Sequence, residues 1–186
     1  MSDAGTGPPV LLATERLIVR RFHAGDVAAL EAYRNDPATT EFAPWAVPWA
    51  HEDTVMLVAE MALRDPLFER GEWAHLALER ADRPGLIGEI AVLWQADDAV
   101  AEAMFALAPQ VWGSGYMTEA LRAVCARIGK DMELRLVAAV TALADGRGRS
   151  VLERAGFRPV ATEGDDVVYA WKPDWANSDA ACRNGG

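Results

Sequence analysis

One segment decides the fold, and it reads Phe105-Ala-Leu-Ala-Pro109-Gln110-Val-Trp-Gly113-Ser-Gly115-Tyr-Met-Thr-Glu119-Ala-Leu-Arg122. It runs from an apolar strand through a glycine turn into a helix. The two glycines can adopt backbone angles that are closed to other residues, and they leave room for a ligand close to the main chain. The NH groups of residues 110–116 then face outward beside the positive end of the helix. The segment therefore predicts a pyrophosphate site that needs no lysine.

Two other nucleotide-binding motifs do not fit this turn. A P-loop requires Gly-x-x-x-x-Gly-Lys-Ser/Thr, and no lysine follows Gly115. The dinucleotide fingerprint requires a third glycine, but Thr118 stands in that position. A second element lies downstream and reads Ser150-Val-Leu-Glu-Arg-Ala-Gly156-Phe157, which predicts a short helix that ends at glycine and leads into a strand.

The two elements together resemble the GNAT acetyltransferase superfamily, whose Gln/Arg-x-x-Gly-x-Gly/Ala turn binds the pyrophosphate of acetyl-CoA. Here that turn reads Gln110-Val-Trp-Gly113-Ser-Gly115. Three stretches resemble the RimJ/RimL-like branch of ribosomal-protein N-acetyltransferases: Thr14-Glu15-Arg16-Leu17-Ile-Val-Arg20, Leu86-Ile-Gly88-Glu89-Ile90 and Trp112-Gly-Ser-Gly-Tyr116-Met-Thr118-Glu119-Ala120-Leu121. The resemblance implies acetyl-CoA as the cofactor. It leaves the acceptor open, because this branch also contains enzymes that acetylate small-molecule amines and antibiotics.

The resemblance also implies which residues hold the cofactor. Phe105, Ala106 and Leu107 would lie along the pantetheine arm and bond it through their main-chain groups. One of their NH groups would also stabilise the oxyanion that develops during transfer. The turn would contribute Gln110, Val111, Trp112, Gly113, Ser114, Gly115, Tyr116 and Met117. The later helix would contribute Asp145, Gly148 and Arg149, although the arginines of that helix fit a solvated face equally well.

The chain departs from the family where the leaving thiolate would be protonated. Many GNAT enzymes place a Tyr four residues before the Gly of Gly-Phe, and here that residue is Leu152. The RimJ/RimL-like Asn-x-x-Ser positions hold Asp145 and Gly148, so an amide donor and a hydroxyl are both lost. Asp145 fits an N-cap of helix 146–155 equally well. No general acid is assigned, and protonation by water or by Tyr116 stays open.

In the GNAT mechanism a neutral amine attacks the thioester directly, so a base must take its proton. The first candidate is Glu102 and the second is Glu89, because both lie on strands expected to border the acceptor cleft. Either carboxylate fits a solvated residue or a salt-bridge partner as well. Deprotonating an α-amine at pH 7 costs roughly 1.4 kcal/mol, whereas a lysine costs about 4 to 5 kcal/mol. With no obvious poised base, the sequence favours an N-terminal or amino-sugar amine over lysine.

The acceptor side is predicted from aromatic and acidic residues. Trp45 and Trp49 could wall a pocket for a cationic or sugar ligand, or they could pack a long loop onto the sheet. Asp98 could steer an amine, in keeping with the net charge of −10. The leading hypothesis is acetylation of a small cationic amine such as an aminoglycoside-like antibiotic. The alternatives are acetylation of a protein N-terminus and a catalytically silent acyl-CoA-binding module.

Length and composition set the outer limits. With 186 residues, 51% of them hydrophobic, the chain fits a single GNAT-like domain over residues 10–172, with flexible tails at 1–9 and 173–186. The absence of a long apolar run and of a signal peptide predicts a cytoplasmic protein without membrane contact. The net negative charge argues against a nucleic-acid partner. The two cysteines imply neither a disulfide framework nor a metal site. Exposed edge strands would permit a homodimer.

The remaining pattern predicts the elements around the turn. Helices are expected over 27–34, 51–64, from the turn to about 130, and up to 155, with an irregular aromatic segment at 37–49. Strands are expected at 17–22, 73–79, 86–94, 101–108, 134–141, 158–162 and 167–171. This order predicts an α/β (α+β) fold: a mixed, mostly antiparallel, GNAT-like central sheet of about six to seven strands, flanked by about four helices.

Overall fold

A computed structural model describes residues 9–64, 70–95 and 99–174. The strands are β1 (Val10–Ala13), β2 (Leu17–Arg20), β3 (Trp73–Arg80), β4 (Arg83–Trp94), β5 (Val100–Leu107), β6 (Leu136–Ala142), β7 (Arg158–Glu163) and β8 (Asp166–Trp171). The helices are α1 (Val27–Arg34), α2 (Pro37–Thr40), α3 (His51–Leu63), α4 (Tyr116–Asp131) and α5 (Gly146–Ala155). The two predicted tails lie almost wholly outside the described residues, so their flexibility stays a prediction.

The strands form one mixed sheet in the order β1-β2-β3-β4-β5-β6-β8-β7. Within the described residues, β5–β6 is the one parallel pair, so the predicted mostly antiparallel α/β sheet is confirmed. The strand and helix numbers were slightly too low, because the described residues contain eight strands and five α-helices. The extra strand is β1, a short edge strand held by pairing with β2. The extra helix is α2, which lies in the segment predicted to be irregular and is capped by Asp36.

The two faces of the sheet are covered by different helices. Ile90 and Val92 of β4 belong to the larger core, together with Leu121 of α4 and Leu152 of α5. Side chains alternate along a strand, so Glu89 points to the opposite face. That face is covered by α1 and α3. Among the described residues, no helix is both long and apolar enough to cross a membrane.

The sheet opens between β5 and β6. Their parallel pairing spans only Val100–Glu102 and Leu136–Ala138. Strand β5 nevertheless continues to Leu107, and β6 continues to Ala142. Beyond Glu102, the main-chain groups of β5 on this side therefore face no partner strand within the described part of the chain. Backbone donors and acceptors left in this way require another partner, which a bound ligand can supply.

Candidate active site

The glycine turn after β5 leads directly into α4. A short 3-10 helix, Pro109–Val111, precedes it. Gly113 and Gly115 have φ angles of 76° and 78°, in the left-handed region that favours glycine. The NH groups in the first turn of a helix have no intrahelical acceptor. Within the described residues no side chain caps the start of α4, so these NH groups are open to a ligand. A 16-residue helix with an open N-terminus behind two glycines fits a pyrophosphate.

Arg16 holds this turn from outside. Its Nη1 donates to the Ser114 carbonyl at 2.9 Å, and its Nε pairs with Glu119 Oε2 at 2.6 Å. Thr14 Oγ1 donates to the same carboxylate at 2.6 Å. Burial raises the pKa of Glu119, but the bonds from Thr14 and Arg16 outweigh it and lower the pKa. This support was not predicted, although Thr14, Arg16 and Glu119 all stand in stretches that resemble the family.

One cavity of about 470 Å³ joins the turn to the start of α5 and to residues 38–45. Its lining includes eleven of the predicted site residues: Trp45, Phe105, Ala106, Leu107, Trp112, Gly113, Gly115, Tyr116, Met117, Asp145 and Gly148. It also includes Arg147 and Arg154, two of the helix arginines that were expected either to reach the cofactor phosphates or to face solvent. Further lining residues that were not predicted as site residues include Thr39, Phe42, Pro44, Thr118 and Ser150. The predicted residues Gln110, Val111, Ser114, Arg149, Trp49, Glu89 and Glu102 are not among the lining residues. Asp98 lies outside the described residues.

The start of α5 combines two roles that the sequence left as alternatives. Asp145 is the N-cap, since its Oδ1 accepts from the Gly148 NH at 2.9 Å, and it also lines the cavity. Leu152, at the position of the family's Tyr, is fully buried. Arg149 bonds the Tyr169 hydroxyl at 3.3 Å and the Leu143 carbonyl at 3.2 Å. Within the described residues, these contacts tie Arg149 to the neighbouring strand and loop rather than to the cavity.

Glu102 stands where β5 and β6 separate, as the last residue of β5 in register with β6. Ala101 and Ala103 pack into the core under α4, so the Glu102 side chain points to the α1 and α3 face. Leu93 and Ala138 flank it on the adjacent strands. Its half-buried carboxylate has no hydrogen-bond or ion-pair partner within residues 9–64, 70–95 and 99–174. An unpaired carboxylate between apolar neighbours is able to accept a proton.

Glu89 is in a different state. It is buried and pairs with Arg34, and its Oε2 lies 2.7 Å from His75 Nδ1. Burial alone would raise the pKa of Glu89, but the His75 hydrogen bond and the Arg34 charge lower it from 4.5 to about 2. A carboxylate with such a low pKa is a weak base. Glu89 is in register with Ala106, which lies four residues after Glu102 on β5. At about 3.3 Å per residue, Glu89 and Glu102 are therefore about 13 Å apart along the strand direction.

Trp45 and Trp49, which were predicted to bind a cationic ligand, both stack on an arginine of the protein itself. The Arg34 guanidinium lies 5.0 Å from the Trp45 ring centroid and 4.4 Å from that of Trp49. This contact packs the tryptophan-bearing loop against the end of α1. Trp45 still lines the cavity, so a substrate contact for Trp45 stays a prediction.

The residues that line the cavity do not form an acidic cleft. Among the described lining residues, Asp145 is the only carboxylate, while Arg147 and Arg154 are cationic. Arg147 lies over the Trp112 ring at 4.4 Å and pairs with Glu41 at 3.5 Å. The described lining therefore has no excess of carboxylates, and residues 38–45 contribute mainly apolar and aromatic surface to it. Thr39 Oγ1 is buried there without a hydrogen-bond partner, so a ligand could satisfy it.

A sheet that splays beside a glycine turn and an open helix N-terminus forms an α/β site suited to a phosphate-bearing ligand. A family model described as Acetyltransferase (GNAT) domain matches residues 16–158. The chain therefore belongs to the GNAT acetyltransferase family, as predicted, and acetyl-CoA is its cofactor. The helix N-terminus and the free edge of β5 fit that cofactor. A comparison with curated protein sequences found no match.

Solved structures share this fold at low sequence identity. A GNAT-family acetyltransferase from Bacillus anthracis is 22% identical, with a TM-score of 0.72, covering 86% of this chain and 96% of that one. RimL, a ribosomal-protein alpha-N-acetyltransferase solved with coenzyme A, is 18% identical, with a TM-score of 0.73 and coverages of 89% and 98%. A spermidine N-acetyltransferase from Vibrio cholerae, in complex with CoA and spermine, is 14% identical, with a TM-score of 0.68 and coverages of 84% and 94%.

Proposed function

We propose that this chain transfers the acetyl group of acetyl-CoA directly to a primary amine of a small acceptor bound beside Trp45. The observation that carries this proposal is the continuous cavity, which connects the donor turn at Gly113 and Gly115 to the apolar residues 42–45. An acceptor seated against those residues lies next to the open edge of β5. The cavity therefore offers both reactants a common space.

The charge of the lining narrows the class of acceptor. A polycation such as an aminoglycoside is best matched by several carboxylates, and the described lining supplies one, at Asp145, together with two arginines. A primary amine that carries one charge on a largely apolar body suits this surface better. The α-amine of a protein N-terminus is the second candidate, because a single charge beside an apolar side chain meets the same requirement. The predicted aminoglycoside substrate is tested in the same experiment.

The residues of the chain divide the work between binding and proton transfer. Acetyl-CoA, when bound, supplies the activated acetyl group. The NH groups that begin α4 bind a pyrophosphate. The main-chain groups of Met104–Ala106 that face away from β4 can bond pantetheine amides and an oxygen that gains negative charge, whereas the Leu107 carbonyl already accepts from Trp112 Nε1 at 2.7 Å. Glu102 is the candidate base, because its carboxylate is unpaired within the described residues while that of Glu89 is saturated. Glu102 does not line the cavity, so it would receive the proton of the amine through a chain of water molecules. The donor of a proton to the departing thiolate stays open between water and Tyr116.

The acceptor is tested by following thiol release from acetyl-CoA across aminoglycosides, polyamines, simple arylalkylamines and short peptides with free N-termini. Product masses would then identify the acetylated amine. We expect turnover with monoamines or peptide α-amines to exceed that with aminoglycosides. Turnover on aminoglycosides alone would contradict the singly charged acceptor. Tight CoA binding without turnover on any amine would indicate the silent module instead.

The role of Glu102 is tested by Glu102→Gln, which keeps the size of the side chain but removes the basic oxygen. Loss of a general base lowers the rate by about 100-fold or more, so we expect a fall of that size in kcat with an unchanged Kd for CoA. Glu163→Gln is the matched control, because Glu163 is an exposed strand residue on β7 at the far edge of the sheet. A Glu102→Gln variant with kcat within about twofold of wild type would exclude Glu102 as the base.

A further inference from the structure

The carboxylate of Glu89 is fully engaged by its neighbours. Arg34 Nε donates to Oε1 and Nη2 to Oε2, each at 2.8 Å. The Tyr33 hydroxyl donates to Oε1 at 3.1 Å, and His75 Nδ1 lies 2.7 Å from Oε2. The side chains of Arg34 and Glu89 are only 4% and 3% exposed. With both oxygens bonded and only 3% of the side chain exposed, this carboxylate holds a guanidinium in place.

The Arg34 guanidinium contacts the segment that forms one side of the cavity. Its charge lies over both tryptophan rings, and Trp45 Nε1 donates to the Arg34 carbonyl at 3.1 Å. The next residue, Asn35, accepts from the Trp49 NH at 2.8 Å and donates to the Trp49 carbonyl at 3.0 Å. Residues 41–49, here called the Trp45 wall, are thus tied to the end of α1 at two tryptophans.

We propose that Glu89 and Arg34 are positioning residues that set the place of the Trp45 wall, and that Glu89 does not take the proton of the amine. A bidentate carboxylate holds the plane of a guanidinium, and a planar guanidinium can stack on aromatic rings as a lysine ammonium cannot. The pair therefore links the central strand β4 to the surface that meets the acceptor. This inference rests on the proposed function, because the wall serves the acceptor.

Hydrogen exchange of the free protein and of its CoA complex tests the positioning role without any acceptor. Arg34→Met removes the charge, Glu89→Gln removes the anion, and Arg34→Lys keeps the charge without the planar fork. We expect amides of the Trp45 wall, above all that of Trp49, to exchange about tenfold faster in Arg34→Met and less so in the other two variants. Peptides covering the donor turn, residues 109–118, should be unchanged.

The matched control is a second buried, bidentate arginine–carboxylate pair. Asp26 accepts from Arg20 Nη1 at 2.8 Å and from Nη2 at 2.9 Å, and both side chains are 2% exposed. Asp26→Asn therefore removes a comparable buried anion. It should lower the melting temperature like Glu89→Gln while leaving exchange in the Trp45 wall unchanged. An equal rise in the control would show general loosening of the fold and would overturn the proposal.

Kinetics separate positioning from base catalysis once the acceptor panel has given a substrate. With the most active amine, Glu89→Gln should raise the KM for that amine about tenfold or more, leave the KM for acetyl-CoA unchanged, and keep the acidic limb of the pH profile. Loss of that limb with a fall in kcat would identify Glu89 as the base. Unchanged exchange of the Trp45 wall in both Arg34→Met and Glu89→Gln would overturn the positioning role, whether or not any amine is acetylated.

Discussion

The Asp145 carboxylate occupies the space in which a side chain at position 148 would lie. A Cβ added to Gly148 would fall inside contact distance of Asp145 Oδ2 and would lie 3.0 Å from Thr141 Oγ1. The same carboxylate accepts the Gly148 NH as the cap of α5. Aspartate at 145 and glycine at 148 are therefore coupled. A serine at 148, as in the RimJ/RimL-like pattern, would require the Asp145 side chain to leave its capping position.

This coupling predicts a non-additive pair of substitutions. Gly148→Ala should lower the free energy of unfolding by about 1–3 kcal/mol, because the methyl group displaces the cap. Asp145→Ala should lower it by about 1 kcal/mol through loss of the cap alone. The double variant should lose less than the sum, as measured by urea denaturation. Gly146→Ala is the control and should be neutral or stabilising, because nothing lies within 4 Å of its added Cβ. Additive losses would show that the contact is not the reason for glycine.

Substitutions at two glycines with positive φ should have similar effects on stability but different effects on the affinity for CoA. Gly115→Ala places a side chain at a φ of 78°, and Gly164→Ala does so at 62° in the β7–β8 turn. Both should lose about 1 kcal/mol of stability or somewhat more through backbone strain. Only Gly115→Ala should weaken CoA binding, about tenfold or more by titration calorimetry, because strain there shifts the NH groups that bind phosphate. Equal CoA affinity in wild type and Gly115→Ala would place the pyrophosphate elsewhere.

Acid denaturation should report the Glu89 ion pair. The pKa of Glu89 falls from 4.5 to about 2 on folding, so the unfolded chain binds its proton first. Its contribution to stability is complete above about pH 4.5 and is lost as the pH falls toward 2, a change of about 3 kcal/mol. The stability difference between wild type and Glu89→Gln should therefore shrink as urea unfolding is repeated from about pH 6 down to about pH 3. A difference that stays constant over this range would contradict the paired, ionised state.

The donor half of the site was predictable from sequence because its determinants are local. Gly113 and Gly115 need left-handed angles, and a helix start follows them at once, so neighbouring residues specify the phosphate site. The short helix α2 also has a local signal, Asp36 followed by Pro37, which the interpretation of this segment as irregular overlooked. Strand β1 has a weak signal, since it is four residues long and depends on pairing with β2.

The acceptor half depends on contacts between residues far apart in the chain. Arg34 and Glu89 are separated by 55 positions, and nothing near either residue indicates that they pair. The prediction of Glu89 as a second base followed from its residue type and from its place on a strand expected to border the acceptor cleft, and that of Trp49 from its aromatic side chain. In the structure Glu89 bonds Arg34, and Arg34 lies over the Trp49 ring. Only the three-dimensional pairing separates the saturated Glu89 from the unpaired Glu102.

Cys125, the one cysteine in the described part of the chain, is not placed to act as a nucleophile. Cys125 is 1% exposed in the main core, where burial raises the pKa of its thiol. A protonated, inaccessible thiol cannot attack a thioester. Transfer should therefore pass directly from acetyl-CoA to the amine, and thiol release should wait for the acceptor.

Rapid-quench measurement of thiol release tests this central claim most directly. Enzyme is mixed with excess acetyl-CoA, first alone and then with the most active amine of the panel, and the intact protein mass is recorded at each point. We predict no burst without the amine, an unchanged protein mass, and release that begins when the amine is added and is slowed by Glu102→Gln. A burst equal to the enzyme concentration without amine, with one acetyl group added to the protein mass, would contradict direct transfer.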